Sequence, residues 1–234
     1  MSRVDGSAQS LDEHALRCLP MLADHDRSTA IHAGRVTAYA VEIGLELGLD
    51  PDELNDLRWE AALHDVGKVA VPPGILNKHG RLNDEELGVA RAHPLIGMQM
   101  LDPYRRWLGA TVDGVAQHHE RWDGHGYPFG LAGERISPLA RIVTLADSFD
   151  AILSCRSYSE PMTSLRARAE IVRCTGSQFD PGVVDALFAR MDRALDDPDR
   201  LVPVEVVTAG DLMGIDWTKL LLSPSPMTRA HAWT

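Results

Sequence analysis

The sequence predicts an all-α protein, and three observations favour this fold class. Apolar residues recur at the 3.6-residue helical period, as in the segment from Ile31 to Leu47. Signals for helix N-termini precede several such segments, as in Asp50-Pro51-Asp52-Glu53, where a proline opens the first turn and acids complement the helix dipole. Only one short apolar run, 201–207, has the character of a strand. With no internal repeat and no second core, we expect a single helical-bundle domain.

The helices are expected in a regular succession along the chain. Their approximate ranges are 11–23 (interrupted by Pro20), 28–47, 51–65, 83–93, 95–101, 112–117, 138–152, 164–173 and 181–194. We divide the chain into an N-terminal helical arm (1–24), the main domain (25–200) and a C-terminal extension (201–234).

Proline and glycine predict where these helices begin and end. Gly48 follows the first long helix, and Ser137-Pro138 begins the long helix of the C-terminal half. Paired prolines and a glycine in 69–74 predict a loop, because they cannot continue a helix. Three glycines and a proline within 122–130 predict a second loop.

Composition narrows the functional classes. Of 234 residues, 44% are hydrophobic and 24% charged, which is typical of globular proteins. A formal net charge of −11 argues against broad nucleic-acid binding, DNA included, yet leaves room for a small anionic substrate next to metal ions. The sequence has no apolar run that fits a membrane span and no signal peptide. Three widely spaced cysteines fit neither a disulfide framework nor a zinc site, so we expect a cytoplasmic protein.

Histidine and aspartate residues at the ends of apolar helical segments, or within them, form a candidate metal-binding set. Its members are His32, His64, Asp65, His93, His118, His119 and Asp147. Imidazole and carboxylate without thiolate suit iron, manganese, nickel or zinc in an open catalytic site, and a shared carboxylate suits two ions. The alternative for each histidine is an ordinary hydrogen-bonded or solvated residue. An aspartate such as Asp147 in a strongly apolar helix, however, is costly without a partner.

The candidate metal-binding residues from His64 to Asp147 lie within four sequence motifs. They are His64-Asp65-x-Gly67-Lys68, His93-Pro94-x-x-Gly97, His118-His119-Glu120-x-x-Asp123-Gly124-x-Gly126-Tyr127-Pro128 and Ala146-Asp147-x-Phe149-Asp150-Ala151. Together they resemble the HD-GYP domain, a bacterial member of the HD superfamily of metal-dependent phosphohydrolases that hydrolyses cyclic di-GMP. The similarity covers about 28–194, most of the chain. It implies a single HD-type helical bundle with a dinuclear metal site, and a phosphodiesterase that forms linear pGpG or GMP in bacterial second-messenger signalling.

The resemblance also implies how the metal ligands divide. His32, His64, Asp65 and Asp147 would hold one ion, and Asp65 would bridge to a second ion. The ligands of that second ion would be His93, His118 and His119. A water between the two ions would attack phosphorus in line. We expect iron or manganese, with zinc and nickel as alternatives.

Three further residues receive roles from the same resemblance. Lys68 would lie near the phosphate and offset developing charge, the alternative being a solvated loop lysine. Arg156 matches the family arginine that meets the substrate phosphate or guanine. Tyr127, within the Gly126-Tyr127-Pro128 loop, would shape the substrate rim or dock a GGDEF-type partner domain, the alternative being a purely structural loop.

Two departures from the family pattern affect these expectations. Some members use a glutamate for a third ion where this chain has Ser28, so we expect two ions. The family often reads Arg-Pro-Tyr-Lys where this chain has Arg156-Ser157-Tyr158-Ser159, which removes a cation that would contact substrate.

Two alternatives to a cyclic di-GMP phosphodiesterase follow. One is an adaptor with weak or no catalysis that binds a cyclic dinucleotide or a GGDEF-type partner domain. The other is a different HD-superfamily reaction, which the Gly-Tyr-Pro loop disfavours. Pairing of subunits into a homodimer is an open expectation.

Overall fold

The computed structural model describes residues 27–154 and 164–196, and every regular element in these ranges is a helix. The α-helices are α1 (Arg27–Glu46), α2 (Pro51–Leu63), α3 (Pro73–Leu76), α4 (Asp84–Arg91), α5 (His93–Leu101), α6 (Arg105–Leu108), α7 (Thr111–Val115), α8 (Pro138–Ser154), α9 (Ser164–Cys174) and α10 (Pro181–Asp196). Short 3-10 helices span Val66–Ala70, Asp102–Tyr104 and Gly133–Arg135. The all-α prediction is therefore confirmed. The predicted arm (1–24) and extension (201–234) lie outside the described residues, as does Arg156.

The predicted start of α2 is formed by a complete capping box. Oδ1 of Asp50 accepts hydrogen bonds from the backbone N–H groups of Asp52 and Glu53, both at 2.9 Å. The Glu53 carboxylate accepts the Asp50 N–H in return, also at 2.9 Å. Asn83 and Glu86 form the same reciprocal pair before α4. Both helices thus satisfy N–H groups that would otherwise lack partners.

The loop predicted for 69–74 is wrong in part. A 3-10 helix continues to Ala70, and α3 begins at Pro73. The carbonyl of Pro72 accepts hydrogen bonds from Ile75 N–H at 2.8 Å and Leu76 N–H at 3.1 Å. Proline at the first helical position lacks only an N–H that the helix does not use, so the residues that stop one helix also start the next.

Two apolar clusters form the core, and α2 contributes to both. The first packs α2 against α1, α8, α9 and α10, with Leu57 and Ala61 from α2. The second packs α2 against α5 and α7, with Trp59, Ala62 and Leu63 from α2. The C-terminal end of α2 is consequently held on both sides, and it carries His64 and Asp65.

Within 27–154 and 164–196, none of the helices combines the length and the apolar character needed to cross a bilayer.

Candidate metal centre

Three histidines are oriented by the same local device. Nδ1 of His64 lies 2.7 Å from the carbonyl oxygen of Ala61, three residues earlier at the end of α2. His93 makes the same contact with the residue three positions before it, and so does His118, each at 2.7 Å. A carbonyl can only accept, so Nδ1 carries a proton, and in the neutral imidazole Nε2 keeps its lone pair. All three imidazoles are therefore prepared to bind a cation through Nε2.

The buried carboxylate of Asp65 stands between two groups of histidines. Its Oδ1 lies 3.2 Å from Nε2 of His93 and 3.8 Å from Nε2 of His118. Its Oδ2 lies 3.3 Å from Nε2 of His64 and 3.9 Å from Nε2 of His32. The two oxygens thus face different ligand sets.

We call these sets the His93 half (His93, His118, His119) and the His32 half (His32, His64, Asp147). Potential ligand atoms of His93, His118 and His119 lie within 4.8 Å of one another, and those of His32, His64 and Asp65 do likewise. Asp147 joins the His32 half through its Oδ1, 3.0 Å from Nε2 of His32. The adjacent pair His118 and His119 follows the end of α7 at Val115. There, hydrogen-bonded turns replace the regular α-helix, and both rings reach the same group.

His32 is held in place by Asp150, a residue far from it in the sequence. Nδ1 of His32 donates to Oδ2 of Asp150 at 2.7 Å, across 118 residues of sequence. Arg35 donates to both oxygens of Asp150, at 2.5 Å and 2.7 Å. Asp150 therefore positions a histidine that is a candidate metal ligand. Asp150 belongs to the fourth sequence motif, but the sequence did not indicate that it pairs with His32 and Arg35.

Charge is distributed unequally over the two halves. Burial alone would lower the pKa of His32, but hydrogen bonds to Asp147 and Asp150 outweigh it and raise the pKa to about 9. In the His93 half, burial lowers the pKa of His119 to about 4 and that of His118 well below its usual range, with neighbouring imidazoles adding to both effects. Burial opposes ionisation of Asp65, yet electrostatic interactions with His64 and Lys68 lower its pKa well below the usual value.

Lys68 lies at this centre. Its Nζ donates to Oδ2 of Asp65 at 2.5 Å, from the 3-10 helix that follows the His-Asp pair. Gly67 makes this close turn feasible, because an added Cβ would come within 2.0 Å of the His93 carbonyl oxygen and 2.6 Å of Gly97 N. Because Gly67 and Gly97 lack side chains, α5 can pack closely against the turn that follows Asp65.

Tyr127 lies beside the His93 half. Its ring stacks on that of His119, with 4.8 Å between centroids and 25° between planes. The guanidinium carbon of Arg91 lies 5.2 Å from the Tyr127 centroid. These side chains, with Asp147 and Gln178, line a cavity of about 190 Å³ next to the centre.

Glu120 holds the loop that carries Tyr127. Its buried carboxylate accepts hydrogen bonds from Phe129 N–H at 2.6 Å and Leu131 N–H at 3.0 Å. An added Cβ on Gly126 would come within 2.6 Å of the His119 carbonyl oxygen. Glu120 belongs to the third sequence motif, but its role in the loop was not predicted. The signal in the sequence is an acid directly after two candidate ligand histidines.

The donor set fits divalent cations. Nε2 of His64 is buried and has no hydrogen-bond partner among the described residues, and a buried polar atom of this kind is costly unless it binds something. Its lone pair faces a carboxylate and other imidazoles, as in borderline transition-metal sites. The structure thus brings the seven predicted ligand residues together, and Lys68 and Tyr127 lie beside them.

Comparison with known proteins places this geometry in context. The family model described as HD domain matches residues 17–183. A cyclic di-GMP phosphodiesterase response regulator, RpfG of Xanthomonas campestris pv. campestris, is 38% identical over 193 residues, which cover 80% of this chain and 50% of that protein. A 3'3'-cGAMP-specific phosphodiesterase 2 of Vibrio cholerae is 37% identical and covers 71% of this chain and 32% of that protein. The chain thus spans half or less of these relatives.

A solved structure shows the same fold. The crystal structure of a cyclic GMP-AMP-specific phosphodiesterase of Vibrio cholerae (V-cGAP3) superposes with a TM-score of 0.62 at 20% identity. The alignment covers 93% of this chain and 54% of that chain.

Proposed function

The chain belongs to the HD domain family, as its motifs predict, and from this premise we propose that it is a metal-dependent phosphodiesterase that hydrolyses cyclic di-GMP. One observation carries the proposal: the two oxygens of buried Asp65 face two separate histidine groups. A carboxylate so placed can bridge two cations, which is the arrangement that phosphate-ester hydrolases use.

The residues would share the ions as the two halves suggest. His32, His64 and Asp147 would hold one ion with Oδ2 of Asp65, and the His93 half would hold the other with Oδ1. Bound divalent ions supply Lewis-acid charge to the phosphate and lower the pKa of a water. We propose iron or manganese, with zinc and nickel as alternatives, because histidine and carboxylate ligands accept all four.

The remaining residues would act on the substrate. Lys68 would exchange part of its contact with Asp65 for the attacked phosphate and offset charge that develops there. Tyr127 would present its ring at the cavity next to His119, where a nucleobase can stack. Arg156, outside the described residues, keeps its proposed contact with phosphate or guanine. The reaction would open the ring to linear pGpG, or continue to GMP.

A second substrate has specific support. Relatives of similar identity are named for cyclic di-GMP and for 3'3'-cGAMP, so 3'3'-cGAMP is the second candidate. A GGDEF-type partner at the Gly126-Tyr127-Pro128 loop and a homodimer complete the proposal as interactions to test.

Chromatography of the reaction products tests the function. Protein purified anaerobically, with bound iron and manganese quantified, would be incubated with cyclic di-GMP and 3'3'-cGAMP beside Asp65→Ala. Asp192→Ala is the matched control, because Asp192 forms an exposed ion pair with Arg168 and neither residue belongs to the candidate metal centre. We expect linear product or GMP from the wild type and the control only. Protein with two bound ions that leaves both substrates intact would refute hydrolysis of these cyclic dinucleotides and favour the adaptor or another HD-superfamily reaction.

A further inference from the structure

The cavity beside the centre contains an arginine to which the reaction assigns no role. Arg91 ends α4, two residues before the ligand His93, and its side chain lines the cavity with Tyr127 and His119. Arg121 also lines this cavity, but it donates to both oxygens of Asp123 at 3.0 Å and 2.6 Å. Arg91 has no carboxylate partner among the described residues.

The position of Arg91 relative to the centre is fixed by ring contacts. The Tyr127 ring stacks on the His119 ring and also contacts the Arg91 guanidinium. Arg91 is thus two ring contacts away from the His93 half, whereas Lys68 contacts Asp65 at the centre itself. The two cations therefore serve different parts of the cavity.

The proposed substrate favours positive charge both at the metal centre and at the position of Arg91. A cyclic dinucleotide carries two anionic phosphodiesters, and only one of them can occupy the metal centre at a time. The cavity volume of about 190 Å³ is below the roughly 300 to 1,000 Å³ of most ligand pockets, so part of the ligand would lie at the exposed rim. The protein carries a net charge of −11, which makes an unneutralised second phosphate unfavourable there.

We infer that Arg91 binds the phosphodiester that is not being hydrolysed. Its planar guanidinium can donate two parallel hydrogen bonds to phosphate oxygens, while the contact with Tyr127 keeps the side chain over the cavity. This inference rests on the proposed function and adds a substrate-binding residue outside the metal ligands.

Steady-state kinetics of Arg91→Gln and Arg91→Lys tests the inference. The matched control is Arg81→Gln, since Arg81 is exposed and does not line the cavity. For cyclic di-GMP we expect Arg91→Gln to raise KM about tenfold to hundredfold, as for loss of a hydrogen bond to a charged group. Its kcat should stay within about twofold. Arg91→Lys keeps the charge but loses the bidentate geometry, so its KM for cyclic di-GMP should lie between those of the wild type and Arg91→Gln.

A substrate with one phosphate separates binding from positioning. Bis(p-nitrophenyl) phosphate has no second phosphodiester, so its hydrolysis should be the same in wild type and Arg91→Gln. If Arg91 instead positioned Tyr127 and His119, kcat would fall for both substrates, which would overturn the inference. Equal kinetics of Arg91→Gln and Arg81→Gln would overturn it too.

Binding measurements separate this inference from the function it rests on. Calorimetry on metal-loaded protein should show weaker binding to Arg91→Gln, by the same factor for cyclic di-GMP and cyclic di-AMP, since both have the same phosphodiester ring. A loss confined to cyclic di-GMP would assign Arg91 to the guanine and refute phosphate binding. Weaker binding to Arg91→Gln without turnover in the wild type would refute the hydrolase alone. Equal binding to wild type and variant, or none to either, would refute the role of Arg91.

Discussion

The His32 half and the His93 half of the centre share Asp65 and differ in how their ligands are held. In the His93 half, His93 and His118 each donate to a carbonyl three residues earlier. In the His32 half, the ring of His32 depends on Asp150, which lies 118 residues away. His64, in the His32 half, makes the same local contact. The halves therefore differ in that orientation of His32 also depends on the packing of α1 against α8.

The halves also differ in charge. Without bound metal, a pKa of about 9 leaves His32 protonated at neutral pH, with Nε2 facing Asp147 and Nδ1 facing Asp150. With a pKa of about 4, His119 is neutral under the same conditions. In the metal-free protein, a single shared carboxylate thus joins an ionic group of side chains to a neutral one. We therefore expect substitutions outside the candidate ligand set to affect the halves unequally.

The largest effect is expected from Asp65→Ala, which removes the residue common to both halves. Loss of the bridging carboxylate should abolish binding of both ions and lower hydrolysis by at least about 10³-fold, because metal stabilisation contributes several kcal/mol. Metal analysis and product chromatography on the same sample measure this. Retention of two ions by Asp65→Ala would refute the bridging role.

Removing one ligand from each half should sharpen the distinction. We expect His93→Ala and His32→Ala each to lose one of the two ions, because each half has its own ligands and its own oxygen of Asp65. Titration of apo-protein with manganese, followed by calorimetry, measures the remaining sites. Loss of both ions in either variant would mean that the halves form one cooperative site.

Asp150→Asn should weaken the His32 half alone. An amide no longer provides the negative charge that orients and polarises His32, and such changes cost about 10- to 100-fold in metal affinity. The same manganese titration should show one weakened and one unchanged site. Asp192→Asn, which breaks an exposed pair with Arg168, is the control; equal weakening of both sites by Asp150→Asn would contradict the separation.

The smallest effects are expected from two buried glutamates that should respond in opposite directions. Glu120 accepts two backbone hydrogen bonds, so Glu120→Gln should destabilise the fold by about 1 to 3 kcal/mol. Both carboxylate oxygens of Glu60 are buried without a hydrogen-bond partner among the described residues. Glu60→Gln should therefore stabilise at alkaline pH, raising Tm by about 2 °C or more.

The pH dependence of Tm tests whether the buried carboxylate of Glu60 causes the gain in stability of Glu60→Gln. Burial, aided by Asp56, raises the pKa of Glu60 well above 4.5, so the folded protein keeps a proton that the unfolded chain releases. Stability should fall as pH rises from about 4.5 through the raised pKa. Between about pH 5 and pH 8, the Tm of Glu60→Gln should rise relative to that of the wild type. A difference in Tm that does not change with pH would refute this origin.

Local sequence determined most of the helices and the identity of the ligand set. The box of Asp50 and Glu53 starts α2 through contacts two and three residues apart, and such short-range preferences can be read from the chain. Gly67 is different, because the need for a missing side chain there arises from the approach of His93 and Gly97, which the sequence alone does not show. The loop predicted for 69–74 was wrong in part, because Pro73 can both end one helix and begin the next.

Tertiary structure decided how these residues are paired. Which oxygen of Asp65 faces His93 and which faces His64 depends on how α2, α4, α5 and α7 converge. The support that Asp150 gives His32 and the place of Arg91 at the cavity likewise arise from side chains brought together by packing. A sequence records residue types and spacing, but a contact across 118 positions exists only once the apolar faces of α1 and α8 are buried together.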